Sequence, residues 1–316
     1  MSSIIIHLGQ RRMVVADRSM SEVVELAKRA AKTSAPVLLC GESGSGKELI
    51  ARYIHNESSR KKGPFISINC AAVPDGLMES ELFGHERGAF TGAVAQHLGK
   101  FERASGGTLL LDEVSEMSVH LQAKLLRVLQ ENEIDRLGGK DCVPINCRVI
   151  STTNRDPKSS ITEGNFREDL FYRLNVIRIE CPPLRGRVEA IESLATEFLG
   201  QSSFRQEKNI KGFSSVAIEQ LKKHHWPGNI RELQNVIERA VLLCDENRIE
   251  SLHLDSWLEE TKPTQNSKKP IRLEDLEKQH ILTILNHVDG NRTLAADELG
   301  ISVRTLRNKL KIYELT

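Results

Sequence analysis

At 316 residues the chain can bury one large core and a smaller one besides. An apolar fraction of 39% and a charged fraction of 28% are those of an ordinary folded soluble protein and exclude a disordered or membrane-embedded class. A net charge of +1 excludes a global attraction to nucleic acid, so any DNA binding must come from a local patch.

Charge is uneven along the chain: from Lys262 onward 10 Lys/Arg stand against 7 Asp/Glu. The six cysteines contain no C-x-x-C pair and no histidine at zinc spacing, and Cys142 and Cys147 read as thiols flanking strands. Free thiols without a signal sequence imply a reducing cytoplasm. Ile4-Ile5-Ile6 is too short for a signal region or a membrane span.

Residues 1–13 read as a tail. From 14 to 184, short apolar runs alternate with helical periods. The runs are Val37–Cys40, Phe65–Ile68, Thr108–Leu111, Val149–Thr152 and Val176–Ile179. Such runs suit strands covered on both faces, so this part predicts an α/β fold around a parallel sheet. After the first run comes Gly41-Glu42-Ser43-Gly44-Ser45-Gly46-Lys47, followed by a helix from Glu48 to His55. Glycines there let backbone N–H groups turn inward around phosphates, the helix N-terminus adds its dipole, and Lys47 reaches the β- and γ-phosphates. Glu48 stands where the general motif has Ser or Thr to hold magnesium, and a carboxylate near phosphates needs the metal or solvent to face.

Gly88-Ala89-Phe90-Thr91-Gly92-Ala93 follows, a segment whose glycines permit a hairpin tip. Phe90 would stand there on a stalk with nothing local to bury it. The strand Thr108–Leu111 ends in Asp112-Glu113, a pair suited to holding a metal and activating a water. Beyond Pro182-Pro183 the pattern is helical: residues 185–260 form a helical subdomain, with helices around 191–199, 216–223 and 230–243, and Asn229 as an N-cap for the last. Residues 261–270 have linker composition. Residues 271–316 read as a small all-α domain. It begins with an apolar stripe (Leu273, Leu276, Ile281, Ile284, Leu285, Val288) that needs a partner, a second copy being one candidate. Helix-turn-helix spacing follows: Ala296 at the crossing, Gly300 at the turn, Leu294, Leu299, Ile301, Leu306 and Leu310 inward, and Ser302 capping the second helix. Arg304, Thr305, Arg307, Asn308 and Lys309 then lie outward, able to meet bases and phosphates of double-stranded DNA.

GESGSGKE, GAFTGA and FREDLFYRL, in that order, resemble bacterial enhancer-binding proteins, the AAA+ ATPases that activate sigma-54 RNA polymerase. The resemblance implies an AAA+ P-loop sheet with a helical lid and a Fis-type DNA-binding end, with ATP and Mg2+ as cofactors. By the same resemblance, Asn69 restrains the catalytic Glu113 and Thr153-Asn154 is the first sensor. Arg167 and Arg173 act as arginine fingers on the neighbouring subunit's nucleotide, and Arg231 is the second sensor. Residues 88–93 contact sigma-54, and Arg136-Leu137-Gly138-Gly139 forms the tip of a second pore loop. Fingers in trans imply a hexamer or heptamer ring. Met13–Asp17 reads either as part of an adenine pocket or as a simple entry strand. Only about 13 residues precede the motor, so control by a regulatory protein in trans, constitutive activity or a trimmed chain are the expectations. A helicase or its loader would leave the Phe90 loop idle. A non-hydrolysing repressor would not need Lys47, Asp112, Glu113, Arg167 and Arg173 together.

Overall fold

The computed structural model describes residues 4–9, 11–254, 277, 280–281, 284–285, 288 and 291–313. Two compact units divide the chain, 1–259 and 260–316.

In the first unit the central sheet has five parallel strands in the order β4-β5-β8-β3-β9. These are β3 (Val37–Cys40), β4 (Phe65–Asn69), β5 (Thr108–Asp112), β8 (Arg148–Thr153) and β9 (Ile177–Glu180). The two-residue period of a strand sends alternate side chains to opposite faces. Leu38, Leu109, Leu111 and Val149 therefore pack on one side, against α3 (Asp75–Phe83), α5 (Val119–Glu131) and α7 (Glu168–Leu174). Val37, Leu39, Leu110, Ile150 and Ile179 face α1 (Arg18–Ala31) and α2 (Lys47–Asn56) on the other. Both faces are covered, which is why the runs are apolar without a break.

The stretch expected as a tail is a hairpin instead: β1 (Ile4–Leu8) pairs antiparallel with β2 (Arg11–Val15). Val14, on β2, enters the core of the helical subdomain, while Met13 and Val15 face α1. A second hairpin joins β6 (Glu133–Asp135) to β7 (Cys142–Pro144) and carries residues 136–139 at its turn. Two short helices complete the sheet unit, α4 (Lys100–Arg103) and α6 (Pro157–Thr162).

The helical subdomain comprises α8 (Val188–Arg205), α9 (Ser215–Lys223) and α10 (Asn229–Leu243) around Trp226, which is fully buried and donates its indole N–H to Leu221 O at 2.9 Å. Asn229 is not the N-cap. Gly228 holds that position, and Asn229 starts the helix in the left-handed region at φ 54°.

In the second unit α11 (Arg292–Glu298) and α12 (Val303–Ile312) are each capped, by Asn291 and Ser302, and Gly300 turns between them at φ 63°. Ala295, Ala296, Leu306 and Leu310 form the buried centre, against which Ile281, Ile284, Leu285 and Val288 pack. Part of the apolar stripe thus has its partner within the same unit, while Leu273, Leu276 and the linker 261–270 lie outside the described residues. Leu294 is a correction: the Asn291 cap fixes a register that turns Ala295 inward and leaves Leu294 55% exposed.

Candidate functional site

The phosphate loop joins β3 to α2. Gly41, Gly44 and Gly46 all have positive φ, so the glycines supply conformations that a side chain would strain. Lys47 is buried at the start of α2 and donates to Gly41 O at 2.6 Å and Glu42 O at 2.9 Å. Burial holds its ammonium below the ordinary lysine range, against the pull of Asp112 and Glu113. Ser45 Oγ is buried without a hydrogen-bond partner and lies against Gly41 within the loop.

The loop's two carboxylates are both committed to guanidinium groups. Glu48 bonds Arg11 at 2.6 Å and Arg52 at 2.9 Å. Burial would raise its pKa, but these two arginines outweigh it and hold the group below the carboxylate range. That resolves the awkward charge next to the phosphates. Glu48 pairs with both arginines while its side chain keeps 39% of its exposure to solvent. Glu42 turns to Arg185, and the paired hydrogen bonds from that guanidinium depress its pKa to about 2.

Two openings meet at the loop. One cavity, of about 370 Å³, is lined by Arg11, Met13, Val14, Gly46, Leu194 and Ile230 among others. The second, about 200 Å³, is lined by Ser43, Gly44, Lys47, Asp112, Glu113 and Arg231. Gly46, Leu49, Ile230 and Gln234 line both. A largely apolar chamber thus continues into a polar one, a shape suited to a purine base and its phosphates.

Asp112 and Glu113 reach the phosphate chamber from the end of β5, with β8 lying between β5 and β3. Thr152 Oγ1 donates to Asp112 Oδ1 at 2.6 Å and accepts the Glu113 N–H at 2.9 Å. Glu113 has φ 57°, a left-handed backbone that this bond helps to hold. Asn154 donates to Glu113 Oε1 at 3.3 Å, and Thr153 meets Ser115 at 3.0 Å. Asn69 sits opposite Asp112 in the β4–β5 register and donates to Asp112 Oδ2 at 3.4 Å, while its Oδ1 accepts from Ala71 and Ala72 N–H. The residue touching Glu113 is therefore Asn154, where Asn69 was expected. Thr152, which sequence reading passed over as an ordinary strand residue, is the hydroxyl that ties the acid pair together.

Arg231 Nη1 donates to Ser43 Oγ at 3.1 Å, bringing the helical subdomain onto the loop. The two expected fingers lie elsewhere. Arg167 pairs with Asp169 at 2.7 Å, and Arg173 donates to Leu129 O at 2.7 Å. Neither lines the phosphate chamber of its own chain.

Phe90 is 41% exposed but not without company, since its ring meets His85 edge-on with centroids 5.0 Å apart. The loop base is pinched by His85 N–H to His97 O at 3.1 Å and His97 N–H to His85 O at 2.9 Å. At the tip Gly88 and Gly92 have φ 83° and 111°, and Gly88 N–H donates to Ala93 O at 2.9 Å. Arg136 from the β6–β7 turn bonds Glu86 at 2.7 Å and Glu102 at 2.6 Å, and Gly138 lies so close to Ala89 that an added Cβ would come within 2.9 Å. Residues 88–93 and 136–139 are thus one assembly.

In the second unit Arg304, Thr305, Arg307 and Asn308 are exposed on α12. Lys309 is partly covered and pairs with Glu277 at 2.5 Å, so it is less available than its helical position suggested.

A glycine loop between β3 and α2, an acid pair one strand removed and a helical lid bearing an arginine define an AAA+ P-loop ATPase joined to a helix-turn-helix unit. The chain belongs to the sigma-54-dependent transcriptional regulators: residues 13–180 match the sigma-54 interaction domain, 185–271 the AAA+ ATPase lid domain and 272–313 the bacterial regulatory protein Fis family. It is 49% identical to the transcriptional regulatory protein FlbD of Caulobacter vibrioides, covering 96% of this chain and 70% of that one. To the regulatory protein AtoC of Escherichia coli it is 48% identical, over 93% of this chain and 66% of the other. The crystal structure of NtrX from Brucella abortus in complex with ADP superimposes with a TM-score of 0.74 at 35% identity, over 95% of this chain and 69% of NtrX. Among the described residues no helix is long and apolar enough to cross a membrane.

Proposed function

We propose that the chain uses ATP hydrolysis at subunit boundaries of a hexameric or heptameric ring to remodel a closed sigma-54 RNA polymerase–promoter complex. Residues 88–93 make the contact with sigma-54 and the helix-turn-helix unit holds upstream DNA. The base lies in the apolar chamber beside Val14 and Leu194. Lys47, Ser45 and the loop N–H groups take the phosphates, and Arg231 closes over them from the lid. Asp112 is the carboxylate for Mg2+, which would neutralise phosphate charge. Magnesium bound with a nucleotide needs only one or two protein carboxylates, which Asp112 can supply. Glu113 orients and deprotonates the attacking water, steadied by Asn154 and by Thr152 behind it.

One observation carries this reading. The exposed ring of Phe90 stands on a loop fastened through Arg136 and Gly138 to the second loop, within the unit that also carries the acid pair. An aromatic presented on so built a support is a contact for another protein. The test is purified chain with ATP, sigma-54 polymerase and a promoter carrying its upstream site. Open complexes should form with ATP and not without it. Steady ATP turnover with no promoter opening would sink the activator reading and leave only the ATPase. Arg304, Thr305, Arg307 and Asn308 should give DNA binding that weakens steeply with salt.

A further inference from the structure

Glu42 sits inside the phosphate loop, yet its carboxylate points to the lid. Arg185, in the short turn Leu184–Gly186 that leads into the lid, meets it with both terminal nitrogens, at 2.7 Å and 2.5 Å. Asn229 adds a third bond, Nδ2 to Glu42 Oε2 at 3.1 Å, and donates from the same amide to Ser43 O at 3.0 Å. Its Oδ1 accepts Leu184 N–H at 2.8 Å, so one fully buried amide ties loop, hinge turn and lid together. Holding an asparagine at φ 54° costs on the order of 1 kcal/mol or more, a strain that persists where surroundings over-determine it. The backbones also touch. Ile230 N–H donates to Gly44 O at 3.0 Å, and a Cβ on Gly44 would come within 2.4 Å of Gly228 O.

A phosphate loop needs none of this to bind phosphate: its glycines, its lysine and the N-terminus of α2 suffice. A carboxylate beside the phosphates is electrostatically adverse unless it is neutralised, and here a bidentate guanidinium neutralises it. We propose that Glu42 is a positioning residue that latches the phosphate loop to the lid through Arg185 and Asn229, so that the seat of the lid sets the loop's grip on nucleotide. The proposal rests on nucleotide binding at this loop. Its consequence is directional: a lid shifted by a neighbouring subunit or by the chain's own termini would loosen the loop without touching Lys47.

The experiment is a double-mutant cycle in the full chain, with Glu42→Gln, Arg185→Lys and both together, read as equilibrium affinity for a fluorescent ADP analogue. Gln keeps the shape and the acceptor for Asn229 but loses the charge. Lys keeps the charge but not the paired geometry. Each single change should weaken ADP by about tenfold, and the double should be no weaker than the worse single, because both remove one interaction. The pair is partly solvent-exposed, so melting temperatures without nucleotide should stay close to the parent's. Singles that bind ADP like the parent, or effects that multiply in the double, overturn the latch. Should one variant fail to fold, the other single decides by the same criterion. A parent chain that binds no ADP would overturn the nucleotide reading and the latch with it, and Lys47→Ala measured alongside separates that outcome from a fault in the latch alone.

Discussion

Asp17 and Arg187 are nearly without solvent contact and bond each other at 2.9 Å, tying the start of α1 to the start of α8. Asp17 also caps α1 by accepting Met20 N–H at 2.8 Å. Burial alone would raise its pKa, but Ser19, Arg187 and Met20 together hold it below the ordinary carboxylate value. The sign follows: the unfolded chain takes up the proton first, so this stabilisation is complete above about pH 4 and is lost as pH falls through the native value. Asp17→Ala would strand a buried guanidinium and should cost about 3–5 kcal/mol, seen as a lower denaturant midpoint at neutral pH and a flatter acid limb. A midpoint equal to the parent's would show that the pair contributes nothing net. At the catalytic end, Glu113→Gln should retain ATP affinity while turnover falls by about 10²–10⁴-fold. Comparable loss of both in phosphate-release and binding assays would make Glu113 a binding residue. Lys47 was legible in the sequence because its spacing within one strand–loop–helix unit marks it, and Asp112 and Glu113 because an acid pair ends the apolar run of β5. The partners of Asn69, Glu42 and Asn229 were not. Asp112 lies 43 residues from Asn69, and Asn229 lies 187 from Glu42, distances that only the folded sheet and lid close.

Elements were legible in proportion to how completely they are buried. The five sheet strands stand out as apolar runs because both faces are covered, and their expected bounds agree to within a residue or so. The hairpins did not stand out. β6 and β7 have three residues each, with a charged residue at both ends of β6, and β1–β2 shows no alternation, Ile4, Ile5, Arg11 and Arg12 being exposed while Met13, Val14 and Val15 are all buried. The Phe90 loop was read correctly as glycine-hinged but wrongly as free of local contacts, since His85 precedes it by too little to look like a packing partner. Its coupling to residues 136–139 leads to a prediction at this scale. Gly138→Val meets Ala89 and a φ of 71° at once, so it should displace the second loop from the first. ATP turnover should remain within about threefold of the parent while promoter opening drops by at least about tenfold, the same separation expected of Phe90→Ala. Turnover that collapses along with opening would mean the two loops serve the fold of the motor and not its output.

At the scale of the whole molecule, the cations that line the phosphate chamber among the described residues are Lys47 and Arg231. Charge that develops on the transferred phosphoryl group calls for guanidinium groups beyond Lys47, an effect worth about 10³–10⁵ in rate where arginine fingers operate. The phosphate chamber offers Arg231, already bonded to Ser43, and at its mouth Arg155 is engaged by Glu116 at 2.6 Å. Arg167 and Arg173 are half-exposed and exposed on the cap of α7 and on α7 itself, and among the described residues they bond Asp169 and the Leu129 carbonyl. Beside Arg173, Tyr172 is 66% exposed, a large aromatic on the same short helix. This face is open to a second copy of the chain. If it enters a neighbour's site, each active site is built from two chains, one giving Lys47 and the other Arg173. Arg173→Ala and Lys47→Ala should then each be inactive alone, while mixtures form boundaries that pair an intact phosphate loop with an intact finger. Turnover measured across mixing ratios should rise to a maximum near equal proportions, with assembly followed by sedimentation. A flat line at zero for every ratio, with mixed assemblies demonstrably present, would place the fingers' partners within their own chain and end the case for shared sites.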